Sequence, residues 1–331
     1  MEVALTPRLH TWLLPPCKHL LVAALAMLFL PSHKARATEL AVEEIRLPPL
    51  RIQGRAARVH TQGLEMVAGK YYVTARREDV RPKRAWLLRS ESAGVDWDAW
   101  DITPEDVQGE VTALDHPGGM QSDGSRLWLP LAESKRNGRS IVRAFKLADL
   151  VAGGRLKADF GFSVQDHIGA VAVAADRQLL FGASWDTERV YVWDFQGRLQ
   201  RTLTGAELKA RGLGVGAGPE GRPGVAVQDW KFVGERLFAS GLFRAPGSEA
   251  VTTESRIIWF TGFLEPDFQR WTVTLPRPKG IMLAREGMAV SDGKVGFLPE
   301  DLGGSNRMFR VSVPDLLQRG AAGPLGHTHP P

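Results

Sequence analysis

One motif recurs five times along this chain, and its spacing limits the folds open to it. The copies begin at His60 (His-Thr-Gln-Gly-Leu-Glu), His116 (His-Pro-Gly-Gly-Met-Gln), His167 (His-Ile-Gly-Ala-Val-Ala), Ala226 (Ala-Val-Gln-Asp-Trp-Lys) and Ala284 (Ala-Arg-Glu-Gly-Met-Ala), at intervals of 56, 51, 59 and 58 residues. A short turn and an apolar, β-prone run follow each copy: Tyr71–Thr74, Leu127–Pro130, Leu179–Gly182, Leu237–Ser240 and Val295–Leu298. Two further strand-like segments fit in each interval, such as Ser140–Phe145 and Val190–Phe195. Four short strands per unit of roughly fifty residues is the pattern of a propeller blade. The expectation is an all-β, five-bladed β-propeller, with six blades as the alternative if the glycine-rich stretch 205–224 hides a strand pair.

The last unit offers only three strands, near 288–290, 294–298 and 308–313. Residues 41–47 (Ala-Val-Glu-Glu-Ile-Arg-Leu) form a strand with no blade at their own end of the chain. They are predicted to fill the vacant slot and close the ring without leaving a sheet edge exposed.

Residues 1–37 read as a signal peptide. Basic residues precede an 11-residue apolar run, Leu20–Leu30, and Ala35-Arg36-Ala37 supplies a small-x-small cleavage site. A membrane span needs about 20 apolar residues, so no transmembrane anchor is expected after leader cleavage. The domain division is therefore 1–37 leader, 38–319 propeller and 320–331 disordered tail, with a periplasmic or secreted location. The net charge of +5 falls to +2 once the leader's four Lys/Arg and one acid are set aside, and no basic run remains to suggest nucleic-acid binding. The only cysteine, Cys17, lies in the leader, which excludes thiol catalysis and cysteine-ligated zinc from the remainder.

In a propeller the first strand of each blade lines the axis, so equivalent repeat positions form rings. The first ring is His60, His116, His167, Ala226 and Ala284. Two positions on lie Gln62, Gly118, Gly169, Gln228 and Glu286, and the next position contributes Asp229. A further ring contains Glu65, Gln121 and Lys231. His60, His116 and His167, with Asp229 and Glu286, are candidates to bind a small polar ligand or a divalent metal, since imidazole and carboxylate suit Zn, Fe or Mn ions. The opposing reading makes the three histidines polar plugs that fix blade geometry. Asp115 and Asp166 could orient the histidines that follow them. Glu65, Lys231 and Glu286 are candidate catalytic groups; the bland alternative for Glu65 and Lys231 is an ion pair within a polar channel. Gln62, Gln121 and Gln228 are expected to line that channel. Glu133, Asp186 and Glu300-Asp301 follow second strands at matching places near its mouth. Trp128, Trp185, Trp193, Trp230 and Trp259 fit packing between blades. The Gly205–Gly224 stretch carries spaced glycines without the strand and helix that a nucleotide fingerprint requires; a flap beside the pore and a plain solvent loop are both open. No serine-hydrolase, zinc-protease or phosphate-loop signature is present.

Several separated motifs add a likeness. His116-Pro-Gly-Gly-Met-Gln, Leu127-Trp-Leu-Pro-Leu-Ala-Glu133, Asn137-Gly-Arg-Ser-Ile141, Asp166-His-Ile-Gly-Ala170, Gly182-Ala-Ser-Trp185, Gln228-Asp-Trp-Lys231 and Ser240-Gly-Leu242 resemble an uncharacterised family of exported bacterial propeller proteins. The resemblance spans roughly residues 58–312 and implies the fold and an extracytoplasmic location, without an activity. His60-Thr-Gln-Gly-Leu64 is also similar to a strand of plant-type glutaminyl cyclases, five-bladed propellers. Where that family carries a glutamate before Ser-Thr, this chain has Tyr72-Val73-Thr74-Ala75. Binding of a polar ligand or metal, a hydrolase or cyclotransferase, and a protein-binding platform in the cell envelope all remain open on the sequence.

Overall fold

The computed structural model describes residues 40–91, 96–105, 113–152, 156–214, 224–244 and 254–322. The whole of the expected leader, 1–37, and the end of the expected tail lie outside these. Four antiparallel meanders follow one another along the chain, and a fifth is shared between its ends. Blade 1 comprises His60–Val67, Lys70–Arg77, Arg84–Glu91 and Asp98–Asp101. Blade 2 opens with a broken inner strand, His116–Pro117 and Gln121–Ser122, followed by Arg126–Ala132, Ser140–Lys146 and Phe160–Val164. Blade 3 is Ile168–Ala174, Leu179–Ser184, Arg189–Asp194 and Leu199–Thr204, and blade 4 is Gly224–Val233, Arg236–Arg244, Glu254–Thr261 and Gln269–Thr274. Blade 5 is Gly287–Ser291, Lys294–Leu298 and Arg307–Ser312, completed by the N-terminal strand Glu43–Arg46. Glu43 pairs with Arg310 and Arg46 with Arg307. The ring is a five-bladed propeller closed as the sequence predicts.

Aromatic side chains fill the spaces between sheets. Trp128 packs against Phe160 and Phe195 at 6.0 and 5.2 Å, and Phe181 of blade 3 meets Phe232 of blade 4 at 4.9 Å. Trp128, Trp193, Trp230 and Trp259 are buried in this way; Trp185 is not, and lies half-buried at one end of the axis.

The stretch expected to be an irregular flap begins as a helix, Gly205–Ala210. It holds no strand pair for a sixth blade among its described residues. Leu208 and Leu213 bury themselves in the blade 3–4 core, and Arg201 on the outermost strand of blade 3 donates to Glu207. The helix therefore belongs to the rim rather than the pore; residues 215–223 lie outside the described set. At the C-terminus the helix Val313–Ala322 runs past the boundary expected at residue 319, because Gly320 packs against Trp259 and Trp271.

The axis itself departs from the expected channel. Inner strands of blades 1, 3 and 4 carry β-bulges at one repeat position: between Thr61 and Gly63, Ile168 and Ala170, and Val227 and Asp229. A bulge adds a residue and reverses the side-to-side phase beyond it. The glycines that follow let the backbones close on one another. A Cβ on Gly118 would lie 2.1 Å from the Gly169 carbonyl oxygen, and one on Gly119 would lie 2.4 Å from Asp229 Oδ1. Gly119 instead donates its N–H to Gly169 O at 2.9 Å, and its carbonyl accepts from Val171 N at 2.9 Å. The axis is closed at its waist, leaving two separate ends.

Candidate functional site

The inner strands begin at one end, which gathers all three repeat histidines. His116 and His167 stand with ring centroids 5.4 Å apart. The Arg76 guanidinium donates to His116 Nδ1 at 2.9 Å. A guanidinium only donates, so Nδ1 accepts and the proton sits on Nε2. Burial, reinforced by His167 and Arg76, pulls the His116 pKa down to about 3, and the ring is neutral at physiological pH. His167 donates from Nδ1 to the Glu133 carbonyl oxygen at 2.7 Å and packs edge-on against Trp185 at 4.7 Å. Burial lowers its pKa as well.

His60 is held differently. Its Nδ1 lies 2.9 Å from Asp301 Oδ1, while Nε2 faces Glu286 Oε1 at 4.0 Å. Glu286 is 7 % exposed and makes no hydrogen bond with another described residue; Arg285 Nε stands 3.6 Å from it. Burial raises its pKa well above the usual carboxylate range, with Arg285 opposing. Glu286 thus holds its proton more tightly than an ordinary glutamate, at the end of the axis where burial lowers the pKa of His116 and His167. Gln62 and Gln228, at the bulges between this end and the waist, are half-buried. Neither side chain makes a hydrogen bond with a described residue.

The five candidate ligands do not converge. Among the described residues no group of three or more His, Cys, Asp or Glu side chains is arranged to hold a metal ion. The physical reasons are visible in the partners: Asp301 engages His60, the Arg76 guanidinium occupies Nδ1 of His116, and Asp229 lies elsewhere. Nor does Asp166 orient His167. Its Oδ1 accepts from the His167 backbone N–H at 2.8 Å, and its Oδ2 accepts from Arg189 and Tyr191 at 2.8 and 2.9 Å. Asp115 accepts from Ser134. Of the carboxylates following second strands, Asp301 alone reaches a repeat histidine; Glu133 pairs with Arg139 and Lys135, Asp186 with Arg136, and Glu300 with Arg307.

Asp229 fills the waist. The bulge at Gln228 turns it onto the axis, where it is fully buried. Oδ2 accepts from the backbone N–H of Leu64 in blade 1 (3.2 Å) and Met288 in blade 5 (2.9 Å). Oδ1 accepts from Trp230 N at 2.9 Å and from the buried Lys231 Nζ at 2.5 Å. Burial raises the Asp229 pKa and Lys231 opposes the rise. Glu65 accepts from Met66 N at 2.9 Å and Ser122 N at 3.3 Å. Gln121 reaches from blade 2 across the axis: its Oε1 accepts from Val173 N and Phe232 N, and its Nε2 donates to Phe232 O. Glu65 and Gln121 are therefore braces between blades, and Lys231 is held by Asp229 of its own blade, so each is already partnered.

Glu65 carries a pH signature. Burial pushes its pKa up to about 7, against the pull of Lys231. The folded protein thus binds a proton that the unfolded chain, with a glutamate pKa of about 4.3, has released. Stability from this group is full below about pH 4 and is lost as pH rises through 7. The stability gap between wild type and Glu65→Gln is expected to shift in favour of the variant between pH 5 and pH 8. Parallel thermal melts at the two pH values, showing a constant difference, would remove the assignment.

Arg76 and the Glu133 carbonyl are functional-site partners without a sequence signal, since neither lies on the repeat ring. A family model covers residues 56–247, more than half of the chain, and describes a family of unknown function. No curated protein matches the sequence. Solved structures to which this chain is similar include a mannoside phosphorylase-family (GH130) glycoside hydrolase, at 9 % identity and TM-score 0.47 over 78 % of this chain and 84 % of that one. A nidogen/laminin complex chain gives 12 % identity and TM-score 0.43 over 78 % and 86 %. The β-propeller domain of the Trilobed protease from Pyrococcus furiosus gives 8 % identity and TM-score 0.35 over 72 % and 78 %.

Proposed function

This chain belongs to DUF6454, a family of unknown function, and from its site we propose that the histidine end of the propeller binds a small, uncharged polar ligand rich in hydroxyl or carboxamide groups. The observation that carries this reading is Glu286: 7 % exposed, without a hydrogen-bond partner among the described residues, and facing His60 at 4.0 Å. A ligand's hydrogen bond to this largely buried carboxyl would contribute about 1.5 kcal/mol. The Nε2–H of His116 is a donor, the Glu286 carboxyl offers a hydrogen-bonding group whose proton burial helps retain, and Gln62 and Gln228 offer both donor and acceptor groups. Trp185 provides a half-buried ring at the rim, suited to the apolar face of a cyclic ligand. A divalent metal fits less well, because Arg76 places a fixed positive charge against His116.

Saturation-transfer NMR with monosaccharides, polyols and primary carboxamides tests the reading. Binding is expected to weaken about tenfold in Glu286→Leu and in His116→Ala, the usual loss for one buried hydrogen bond, with the fold intact by circular dichroism. Ligands that bind equally well to both variants would place recognition elsewhere.

One observation favours an enzyme as the second reading. Asp301, His60 and Glu286 stand in sequence, with an oriented imidazole facing a carboxyl whose pKa is raised, which is the arrangement of an acid/base pair. A hydrolase or cyclotransferase of this kind would turn over lactones, aryl esters or N-terminal glutamine peptides, and would lose that activity in His60→Ala. The proposed location is periplasmic or secreted, supported by the leader pattern of residues 1–37. A protein partner in the cell envelope, using the outer loops, would be recovered by cross-linking in envelope extract.

A further inference from the structure

The opposite end of the axis holds a cavity of about 280 Å³ that the histidine site does not use. Its floor is the Gln121 side chain, held rigid by three hydrogen bonds to blades 3 and 4. One wall is apolar, made by Val173, Ala174 and Phe232, the last backed by Phe181 at 4.9 Å. The other wall is formed by two hairpin turns, which carry Asp176 and Arg177 in blade 3 and Glu235 in blade 4. None of these three charged side chains has an ion-pair partner among the described residues.

We propose that this cavity is a second binding site, for a free α-amino acid with an apolar side chain. The volume lies just below the usual range for ligand pockets, about 300–1,000 Å³, which limits the occupant to a small molecule. A simple organic cation would meet the carboxylates but leave Arg177 facing it with like charge. A simple carboxylate would meet Arg177 but face Asp176 and Glu235. A zwitterion satisfies both signs, with its ammonium on Asp176 and Glu235 and its carboxylate on the Arg177 guanidinium, which is suited to bidentate pairing. Its apolar side chain then covers Val173, Ala174 and the exposed face of Phe232. The rigid Gln121 floor means the pocket is formed before the ligand arrives, which lowers the cost of binding.

Isothermal titration of the full chain with L-leucine, isoamylamine and 4-methylvalerate, at low ionic strength, tests the proposal. L-leucine is expected to bind at least about fivefold more tightly than either analogue, the factor set by one surface ion pair. Arg177→Gln should reduce L-leucine to the level of isoamylamine, and Glu235→Gln combined with Asp176→Asn to the level of 4-methylvalerate. Glu286→Gln, at the far end of the axis, should leave L-leucine binding unchanged, which separates this site from the histidine end. Equal binding of L-leucine and isoamylamine would make it a cation site and overturn the proposal. Absence of saturable binding, or binding indifferent to Arg177→Gln in a variant with unaltered melting, would do the same.

Discussion

Asp229→Ala is expected to be the most damaging single substitution in this protein. The carboxylate ties together three inner strands: it accepts from Leu64 of blade 1, from Met288 of blade 5, and from Trp230 and Lys231 of its own blade. Removing it takes away the hydrogen-bonded counter-charge of the Lys231 ammonium, 1 % exposed, and leaves only Glu65, whose pKa burial pushes up to about 7, as an acidic neighbour. Stranding one partner of a buried ion pair costs about 3–5 kcal/mol. Three backbone N–H groups at the waist, those of Leu64, Met288 and Trp230, also lose their acceptor, at about 1–3 kcal/mol each. The sum is comparable with the whole stability of an ordinary domain, about 5–15 kcal/mol. Urea unfolding should therefore show a severely destabilised protein or one that fails to fold.

Because a chain that does not fold says little by itself, a paired variant sharpens the test. Asp229→Ala with Lys231→Met removes the stranded charge and should regain a substantial part of the loss, leaving the N–H penalty. Asp229→Asn keeps an acceptor for the backbone donors and should fall between wild type and alanine. If Asp229→Ala unfolds within about 1 kcal/mol of wild type, the carboxylate is not the brace described here.

Removal of residues 38–48 ranks second. Strand Glu43–Arg46 completes blade 5, and the flanking Leu40 and Leu47 are 4 % and 7 % exposed. Burying a leucine contributes about 1.5–3 kcal/mol, so two leucines account for roughly 3–6 kcal/mol. At a few degrees per kcal/mol, the midpoint of thermal unfolding should drop by about 10 °C. Deletion would also expose the free edge of Arg307–Ser312, a template for pairing with another chain. Soluble aggregates should appear on size exclusion, and a synthetic 38–48 peptide supplied in trans should restore both melting and monomer. A deletion protein that stays monomeric with an unchanged melting point would mean the ring is not held shut from this end.

The sequence alone determined the order of the sheets and the way the ring closes, and pointed to five of them with six left open. It could do so because a blade is a local object: alternating apolar runs and turn residues specify each meander within about fifty positions, and a missing fourth strand leaves a countable vacancy that 41–47 fills. It also placed His60, His116 and His167 at one end, since equivalent positions in successive blades are brought together by symmetry. What only the tertiary structure decided is which side chains meet. A bulge at Gln62, Gly169 and Gln228 reverses the alternation beyond it, so Asp229 turns onto the axis to brace the waist instead of joining the histidines. Glycine contacts then shut the channel that simple alternation left open. Asp301 finds His60 across 241 residues, and Arg76 finds His116 from a neighbouring blade. Those encounters depend on how five twisted sheets settle against one another, a long-range balance of packing and burial that no local pattern encodes.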